Sequence, residues 1–392
     1  MTNERNTTRA VGVLGIGTLG ITVAQLALDS GRSVVLVVRP EPGKVERGIA
    51  ALESSLAREV RGGRLSPEVA AGARKRAVVT DDPSRLEECG VVIESVLEDV
   101  DAKQHALAVI ENVVTDDCVI ASTTSTIPVA WIANHALEPA RVVVAHYVWP
   151  ANRVPLVEVS LPDSVTPEVR QRLDLMLAEQ RKTPLFVRDT PGFLITRVLF
   201  GYWAEVVRLL VDGVSPVEID GMLEAGGWPI GPCRMLDGTG LTTPLRALRV
   251  VDQVMAGRSD PIGELQPVVD AGFVNHRTGG LYLHEDGNRR PNEGALELLR
   301  HASRPAPPDL VDRVTGAVVN EAAWCVAEGV VESWEDAALG IDGAYGFPGG
   351  LIGYLHAIGP RKLADRLARL AEVHGSHFLP CPILRDGPGS AK

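Results

Sequence analysis

Positive charge, cysteine and long apolar runs are all scarce in this chain of 392 residues. With 39 Lys and Arg against 50 Asp and Glu, the net charge is −11 at pH 7, which argues against nucleic acid and anionic membranes as partners. No apolar run approaches the roughly 18 residues of a membrane span, and the first residues, MTNERNTTR, lack the apolar core of a secretion signal. We therefore expect a cytoplasmic protein.

The cysteines are few and show no C-x-x-C spacing. Such a scattered set is typical of reduced thiols, and it favours neither a disulfide framework nor a metal site. The remaining composition, with 45% hydrophobic and 23% charged residues, is that of an ordinary globular protein, and the length suggests two or three domains. The five cysteines are Cys89, Cys118, Cys233, Cys325 and Cys381.

A glycine-rich turn, GIGTLG, joins a short apolar run at Val11–Leu14 to a helical pattern. Gly15 permits a tight turn, Gly17 lets the backbone approach a pyrophosphate, and Gly20 lets the helix pack closely on the strand. The free N–H groups of the helix N-terminus then face the phosphates. We predict a dinucleotide site here; the alternative is a glycine turn without a ligand. The residues assigned to the cofactor in this turn are Gly15, Gly17, Thr18, Leu19 and Gly20.

The second predicted strand, Val34–Val38, lacks the acidic residue that usually follows it in NAD-specific sites. Arg39 stands there instead, and an arginine at that place suits the 2′-phosphate of NADP. We therefore favour NADP over NAD. The alternative is an arginine that faces solvent while NAD binds.

Polar residues end several further predicted strands. One strand ends at Glu94, the next runs into STTST with Ser125, and a third ends at His146. Strands that alternate with helices indicate a parallel, doubly wound sheet, in which ligands lie at the carboxyl ends of the strands. We expect these three residues to lie along one edge with the glycine turn, and we assign Glu94 to the cofactor site.

Glu158 lies inside the apolar run Leu156–Val159, twelve residues after His146. A carboxylate in an apolar strand is costly unless it is paired. A histidine held by a carboxylate is the usual arrangement of a general base. We therefore predict that the two side chains pair, although the spacing also allows them never to meet.

Beyond Asp189 the sequence becomes helical and repeats a pattern. Glu205 precedes Gly213 by eight residues, and Glu321 precedes Gly329 by eight residues. A proline-rich linker, ASRPAPPD, separates the two stretches. The predicted fold is an α/β Rossmann-type doubly wound sheet in residues 1–188, followed by two all-α repeat domains, residues 189–300 and 301–392, whose apolar faces pack on each other.

Taken together, these motifs resemble the 3-hydroxyacyl-CoA dehydrogenase family over about residues 10 to 385. The two-repeat half resembles the dehydrogenase portion of multifunctional β-oxidation proteins. The order and spacing of the motifs make the resemblance specific for fold. The matching segments are GIGTLG, STTST, AHYVWP with LVEV, DTPGFLITR, GWPIGPCRMLD and HRTGGLY.

The resemblance implies hydride transfer between a nicotinamide and the 3-carbon of a 3-hydroxyacyl thioester, a reaction of fatty acid metabolism. It places the catalytic histidine on His146, its orienting carboxylate on Glu158 and a substrate-binding hydroxyl on Ser125. The implied partner is a small acyl thioester, bound by a monomer or a homodimer.

Two substitutions within the family motifs bear on the substrate. Trp149 stands where the family has an asparagine after the histidine, and Thr196 replaces the asparagine that contacts the substrate in T-P-G-F-x-x-N-R. We assign both positions to substrate binding and expect an unusual thioester or a related 3-hydroxy compound. Two other readings remain open: a binding or assembly component without redox turnover, and a non-redox enzyme that uses His146 and Glu158 for proton transfer.

Overall fold

The structure is a computed structural model that describes residues 9–255, 257–285, 288–299 and 302–386. It divides into two compact units, Met1–Asp189 and Thr190–Lys392. This division falls next to the predicted boundary between residues 188 and 189. The further boundary between residues 300 and 301 stays a prediction.

The first unit is built on an eight-stranded sheet in the order β3-β2-β1-β4-β5-β6-β7-β8. Neighbouring strands are parallel except β6 and β7, which are antiparallel. The strand order reverses between β1 and β4, so their carboxyl ends form the topological switch point where such sheets bind ligands. The strands are β1 (Ala10–Leu14), β2 (Val34–Val37), β3 (Ala77–Thr80), β4 (Cys89–Glu94), β5 (Val119–Ser122), β6 (Val142–Tyr147), β7 (Leu156–Ser160) and β8 (Thr183–Val187).

Helices connect the strands of this sheet, and their apolar sides pack on its valine-rich strands. Three start at side-chain caps, because Ser66, Asp99 and Thr166 each accept a backbone N–H from the first turn. The predicted doubly wound α/β fold is confirmed. The helices are α1 (Thr18–Asp29), α2 (Lys44–Arg61), α3 (Pro67–Lys75), α4 (Val100–Glu111), α5 (Val129–Ile132) and α6 (Pro167–Glu179).

The second unit is helical, as predicted, and it also contains a two-stranded antiparallel sheet that the sequence did not predict. The strands of this hairpin are β9 (Tyr282–Glu285) and β10 (Asn288–Pro291). The helices are α7 (Ile195–Val211), α8 (Pro216–Ala225), α9 (Pro232–Thr239), α10 (Thr242–Met255), α11 (Gln266–Asp270), α12 (Glu293–Leu296), α13 (Leu310–Ala327), α14 (Trp334–Tyr345), α15 (Leu351–Ile358), α16 (Pro360–His374) and α17 (Ile383–Asp386).

The two helical repeats pack on each other through α7 and α13, as predicted. Each helix carries an arginine eight residues before its glutamate, and the arginine of each helix pairs with the glutamate of the other helix. Arg197 Nη2 lies 2.7 Å from Glu321 Oε1, and Arg313 Nε lies 2.6 Å from Glu205 Oε1. These four side chains are at least 95% buried. Reciprocal pairing of equivalent residues makes the interface pseudo-symmetric.

Two further features of the described residues bear on the sequence-based expectations. None of the described helices combines the length and the apolarity needed to cross a membrane. All five cysteines are buried as free thiols. Burial raises the pKa of Cys89 and of Cys118 to about 12, so both are protonated at neutral pH.

Candidate active site

The glycine turn after β1 has the backbone geometry that a pyrophosphate site needs. Gly15 has a φ of +116°, and a Cβ there would lie 2.3 Å from the carbonyl oxygen of Ser95. A Cβ on Gly20 would lie 2.4 Å from the carbonyl oxygen of Gly15. At Gly17, in contrast, a Cβ would meet no atom within 4 Å. The fold itself therefore requires glycine at positions 15 and 20, whereas the open space at Gly17 fits the approach of a ligand.

Helix α1 begins directly after this turn with the features of an anion-binding N-terminus. Gly17 is its N-cap, no side chain caps it, and its first turn holds no acidic residue. The first N–H groups, those of Thr18 and Leu19, thus lack a side-chain acceptor in the described chain. Because the helix dipole is positive at this end, the site favours a phosphate. These residues fit a dinucleotide.

Arg39 lies two residues beyond the end of β2. Its side chain is 76% exposed, and its Nε lies 3.2 Å from Glu41 Oε1. Exposed ion pairs of this kind contribute little free energy, so the guanidinium can change partners easily. The sequence-based hypothesis of a 2′-phosphate contact stays a prediction.

Glu94 is the site residue whose surroundings differ most from expectation. It is only 2% exposed, and both of its carboxylate oxygens lie 3.2 Å from Lys103 Nζ. Ser122 Oγ and the backbone N–H of Val96 donate to it at 2.5 and 2.6 Å. A carboxylate surrounded by these donors ties β4 to β5 and α4. Glu94 thus supports the strand ends, and its assignment to the cofactor site stays a prediction.

Glu98, in the loop between β4 and α4, holds the turn that carries Ser125. Its Oε1 accepts the N–H of Ser125 at 3.0 Å and the hydroxyls of Thr124 and Thr126 at 2.6 and 2.9 Å. Burial alone would raise the pKa of Glu98, but the Lys103 ammonium and these donors hold it below its usual value. Glu98 is therefore ionised at neutral pH and fixes the turn.

His146 and Glu158 face each other across the antiparallel pair β6–β7. The distance from His146 Nδ1 to Glu158 Oε2 is 2.7 Å. The Glu158 side chain is fully buried, while 12% of the His146 side chain is exposed. The predicted hydrogen bond is thus present, and it leaves Nε2 as the nitrogen that can exchange a proton with a ligand.

Trp149 lies in the connection between β6 and β7 and is 54% exposed. Lys182 fixes the end of this connection, because its Nζ donates to the carbonyl oxygen of Ala151 and, at 2.7 Å, to that of Val154. Burial lowers the pKa of Lys182 to about 8. A large exposed indole three residues after His146 is available to a ligand on this edge of the sheet.

Thr196 belongs to the second unit. It lies in the first turn of α7 and is 6% exposed. Its assignment to substrate binding rests on its place in the motif and stays a prediction.

Sequence reasoning brought together the ends of four neighbouring strands, β1, β4, β5 and β6, but missed three supporting side chains. Lys103, Glu98 and Asp189 act through hydrogen bonds to other side chains and to backbone groups. Their signal in the sequence is weak, because each is a charged residue in a loop or at the start of a helix. Only their proximity to a strand end distinguishes them from solvated surface residues.

Comparison with protein families gives two adjoining matches. Residues 10–190 match the 3-hydroxyacyl-CoA dehydrogenase NAD binding domain, and residues 192–284 match the C-terminal domain of the same family. The (S)-3-hydroxybutyryl-CoA dehydrogenase of Ralstonia eutropha is 30% identical, with 71% of this chain and all of that chain covered and a TM-score of 0.65.

The chain belongs to the 3-hydroxyacyl-CoA dehydrogenase family. It is therefore an oxidoreductase that transfers a hydride and has a nicotinamide-dinucleotide-binding domain.

Two more distant structures share the fold of this dehydrogenase over nearly its whole length. The 3-hydroxybutyryl-CoA dehydrogenase of Escherichia coli is 22% identical, with 97% of this chain and 98% of that chain covered and a TM-score of 0.80. The dehydrogenase part of a multifunctional enzyme from C. elegans is 21% identical, with 97% and 89% covered and a TM-score of 0.65. The helical second unit thus belongs to an architecture found in other members of the family.

Proposed function

We propose that the protein interconverts a 3-hydroxyacyl thioester, or a related 3-hydroxy compound, and its 3-oxo form, with His146 as the general acid–base. The observation that carries this proposal is the 2.7 Å contact between His146 Nδ1 and the buried carboxylate of Glu158. When bound, the nicotinamide supplies or accepts the hydride. The protein supplies the proton transfer and the orientation of the substrate.

In the oxidising direction, His146 Nε2 takes the proton from the substrate hydroxyl, and in the reducing direction it returns it. Glu158 holds the proton of Nδ1, which fixes the tautomer and stabilises the imidazolium. Ser125 donates a hydrogen bond to the substrate oxygen from a turn that Glu98 keeps in place. Each of these groups belongs to the first unit.

The cofactor would bind with its pyrophosphate on the N-terminus of α1, close to Gly17, in the turn that the close packing at Gly15 and Gly20 shapes. We propose NADP as the preferred form. The support is the exposed guanidinium of Arg39 just beyond β2, where a carboxylate would repel a 2′-phosphate. The side chain of its present partner, Glu41, is itself 45% exposed, and such exposed ion pairs contribute little free energy.

The substrate would be a small acyl thioester, and the family motifs assign Trp149 in the first unit and Thr196 in the second unit to substrate binding. Both differ from the asparagines of the family motif. An asparagine offers a donor and an acceptor, whereas an indole offers bulk and one donor. We therefore propose an acyl group that tolerates less polar contact than the usual straight-chain substrate.

A panel of 3-oxoacyl thioesters with NADPH and NADH tests the proposal, with nicotinamide absorbance as the signal. We expect oxidation of the reduced cofactor with at least one thioester. The absence of turnover with every thioester and both cofactors, in protein that binds cofactor normally, would refute the reaction and leave a role in binding or assembly.

A further inference from the structure

The turn that carries Ser125 is held at both ends by carboxylates from other elements. At its start, Glu98 accepts the N–H of Ser125 and the hydroxyls of Thr124 and Thr126. At its end, where α5 begins, Asp189 accepts two consecutive backbone N–H groups. The conformation of this turn therefore depends on one acid that follows β4 and another that follows β8.

Asp189 makes three hydrogen bonds with its two carboxylate oxygens. Oδ1 accepts the N–H of Val129 at 2.6 Å and the hydroxyl of Ser160 at 2.9 Å, and Oδ2 accepts the N–H of Ala130 at 2.9 Å. Ser160 is fully buried. Hydrogen bonds to an ionised acceptor are stronger than neutral ones, so this contact is a firm one.

The hydrogen bond from the Ser160 hydroxyl connects the turn to β7, the strand that bears Glu158, the partner of His146. Ser160 follows Glu158 by two residues in β7, so both side chains lie on the same face of the sheet. Glu158 in turn is paired in register with His146. The carboxylate of Asp189 thus contacts both the turn that carries Ser125 and the strand that carries Glu158.

We infer that Asp189 is a positioning residue that sets the place of Ser125 relative to His146. The inference rests on the proposed function, in which Ser125 binds the substrate oxygen and His146 exchanges its proton. Both groups must reach one hydroxyl, and a displacement of about 1 Å can lower the rate about 100-fold. Asp189 acts on the reaction only through the backbone of the turn and through β7.

The first test measures the turn directly and does not depend on activity. In Asp189→Asn, the amide keeps one acceptor oxygen and gains an NH₂ group, so one backbone N–H of the turn faces a donor. We expect faster amide hydrogen exchange in the peptide spanning residues 122–132 and unchanged exchange around Gly17. The matched control is Asp163→Asn, because Asp163 is exposed in the connection after β7. Unchanged exchange in residues 122–132 would overturn the inference.

The second test separates positioning from a general loss of stability. We expect Asp189→Asn to lower kcat about 10–100-fold while the KM for the cofactor stays within about threefold of that of the wild type. In the double variant Asp189→Asn/Ser125→Ala, kcat should fall no further than in Ser125→Ala alone, because both changes act on the same contact between Ser125 and the substrate oxygen. If the wild type is active, two results would contradict the positioning role. One is additive losses of kcat in the double variant, and the other is a kcat of Asp189→Asn equal to that of Asp163→Asn. Failure of the proposed function would appear differently, as a wild type without turnover.

Discussion

At the scale of single residues, burial decides what His146 can do. Its partner Glu158 is fully buried, and a buried carboxylate without a partner would cost several kcal/mol. The hydrogen bond at Nδ1 satisfies the carboxylate and leaves Nε2 as the ring nitrogen that can exchange a proton. The same pair therefore serves the stability of the strand and the proposed proton transfer.

Arg39 is the residue on which the proposed cofactor preference depends. We expect Arg39→Ala to weaken NADPH binding by about 10–100-fold, the value of one charge-assisted hydrogen bond of about 1.5–3 kcal/mol, and to leave NADH binding unchanged. Isothermal titration of both cofactors measures this. The control is Arg85→Ala, which removes another exposed arginine, paired with Glu88, before the amino end of β4. Tighter binding of NADH by the wild type would contradict the preference.

Trp149 is the residue expected to shape substrate choice. Trp149→Asn restores the side chain of the family motif and removes bulk, so we expect kcat/KM to shift toward straight-chain 3-hydroxyacyl-CoA by about 10–200-fold. Thr196→Asn should act in the same direction. The control is Leu137→Asn, because Leu137 is 75% exposed and lies before the amino end of β6. An unchanged ranking of substrates in a well-folded variant would make Trp149 structural.

At the scale of elements, the contact between α7 and α13 is organised by exchanged ion pairs. Glu321 lies between Arg197 and Arg258, and Glu205 lies between Arg313 and His377. Because these charges are buried, each depends on its partners, and the loss of one leaves others uncompensated. The pairs therefore fix the register of the two helices.

Glu321→Ala should destabilise the second unit by about 3–5 kcal/mol, because it leaves the fully buried Arg197 without this carboxylate. The exposed pair Arg366–Asp312 provides the control, and Asp312→Ala should cost no more than about 1 kcal/mol. Urea denaturation of each variant gives the free energy of unfolding. Equal effects of the two substitutions would show that the buried pair contributes no more than a surface pair.

Several elements could be predicted because their patterns are strong, and others could not. Strands β1, β2 and β4 to β7 are mainly apolar. The carboxyl ends of the parallel strands β1, β2, β4, β5 and β6 meet as expected, whereas β7 runs antiparallel to β6. Strands β3 and β8 lie at the edges of the sheet and are only partly buried, so their sequences carry little pattern. The hairpin β9–β10 is short and polar on its second strand, and it interrupts a stretch that otherwise predicts helices.

At the scale of the whole molecule, each helical repeat supplies the surface that the other one needs. A chain that ends at Leu299 would lose α13 and expose the apolar face of α7 together with Arg197 and Glu205. We expect it to be poorly soluble or to dimerise through that face, as measured by light scattering after size exclusion. Removal of residues 387–392 alone is the control, since it leaves every described helix in place. A shortened chain that stays monomeric and equally stable would refute this.

The overall plan of the chain could be predicted because it follows from periodicity and glycine placement, which are local properties. The site could be predicted only in part. His146, Ser125 and the glycine turn could be predicted because each lies at or just after the end of an apolar strand. Glu158 could be predicted because it is a charged residue within an apolar run. The roles of Glu94, Glu98 and Asp189 depend on contacts between distant segments, which no local pattern specifies. For the same reason no local pattern specified the contacts of Glu94 with Lys103 and Ser122.

The turnover of His146→Ala tests the central proposal most directly. The measurement follows nicotinamide absorbance with the best thioester of the wild type, and titration of the cofactor confirms that the variant still binds it. We expect kcat to fall by about 10²–10⁴, the contribution of a positioned general acid–base, with unchanged cofactor affinity. Turnover equal to that of the wild type would contradict the assignment of proton transfer to His146.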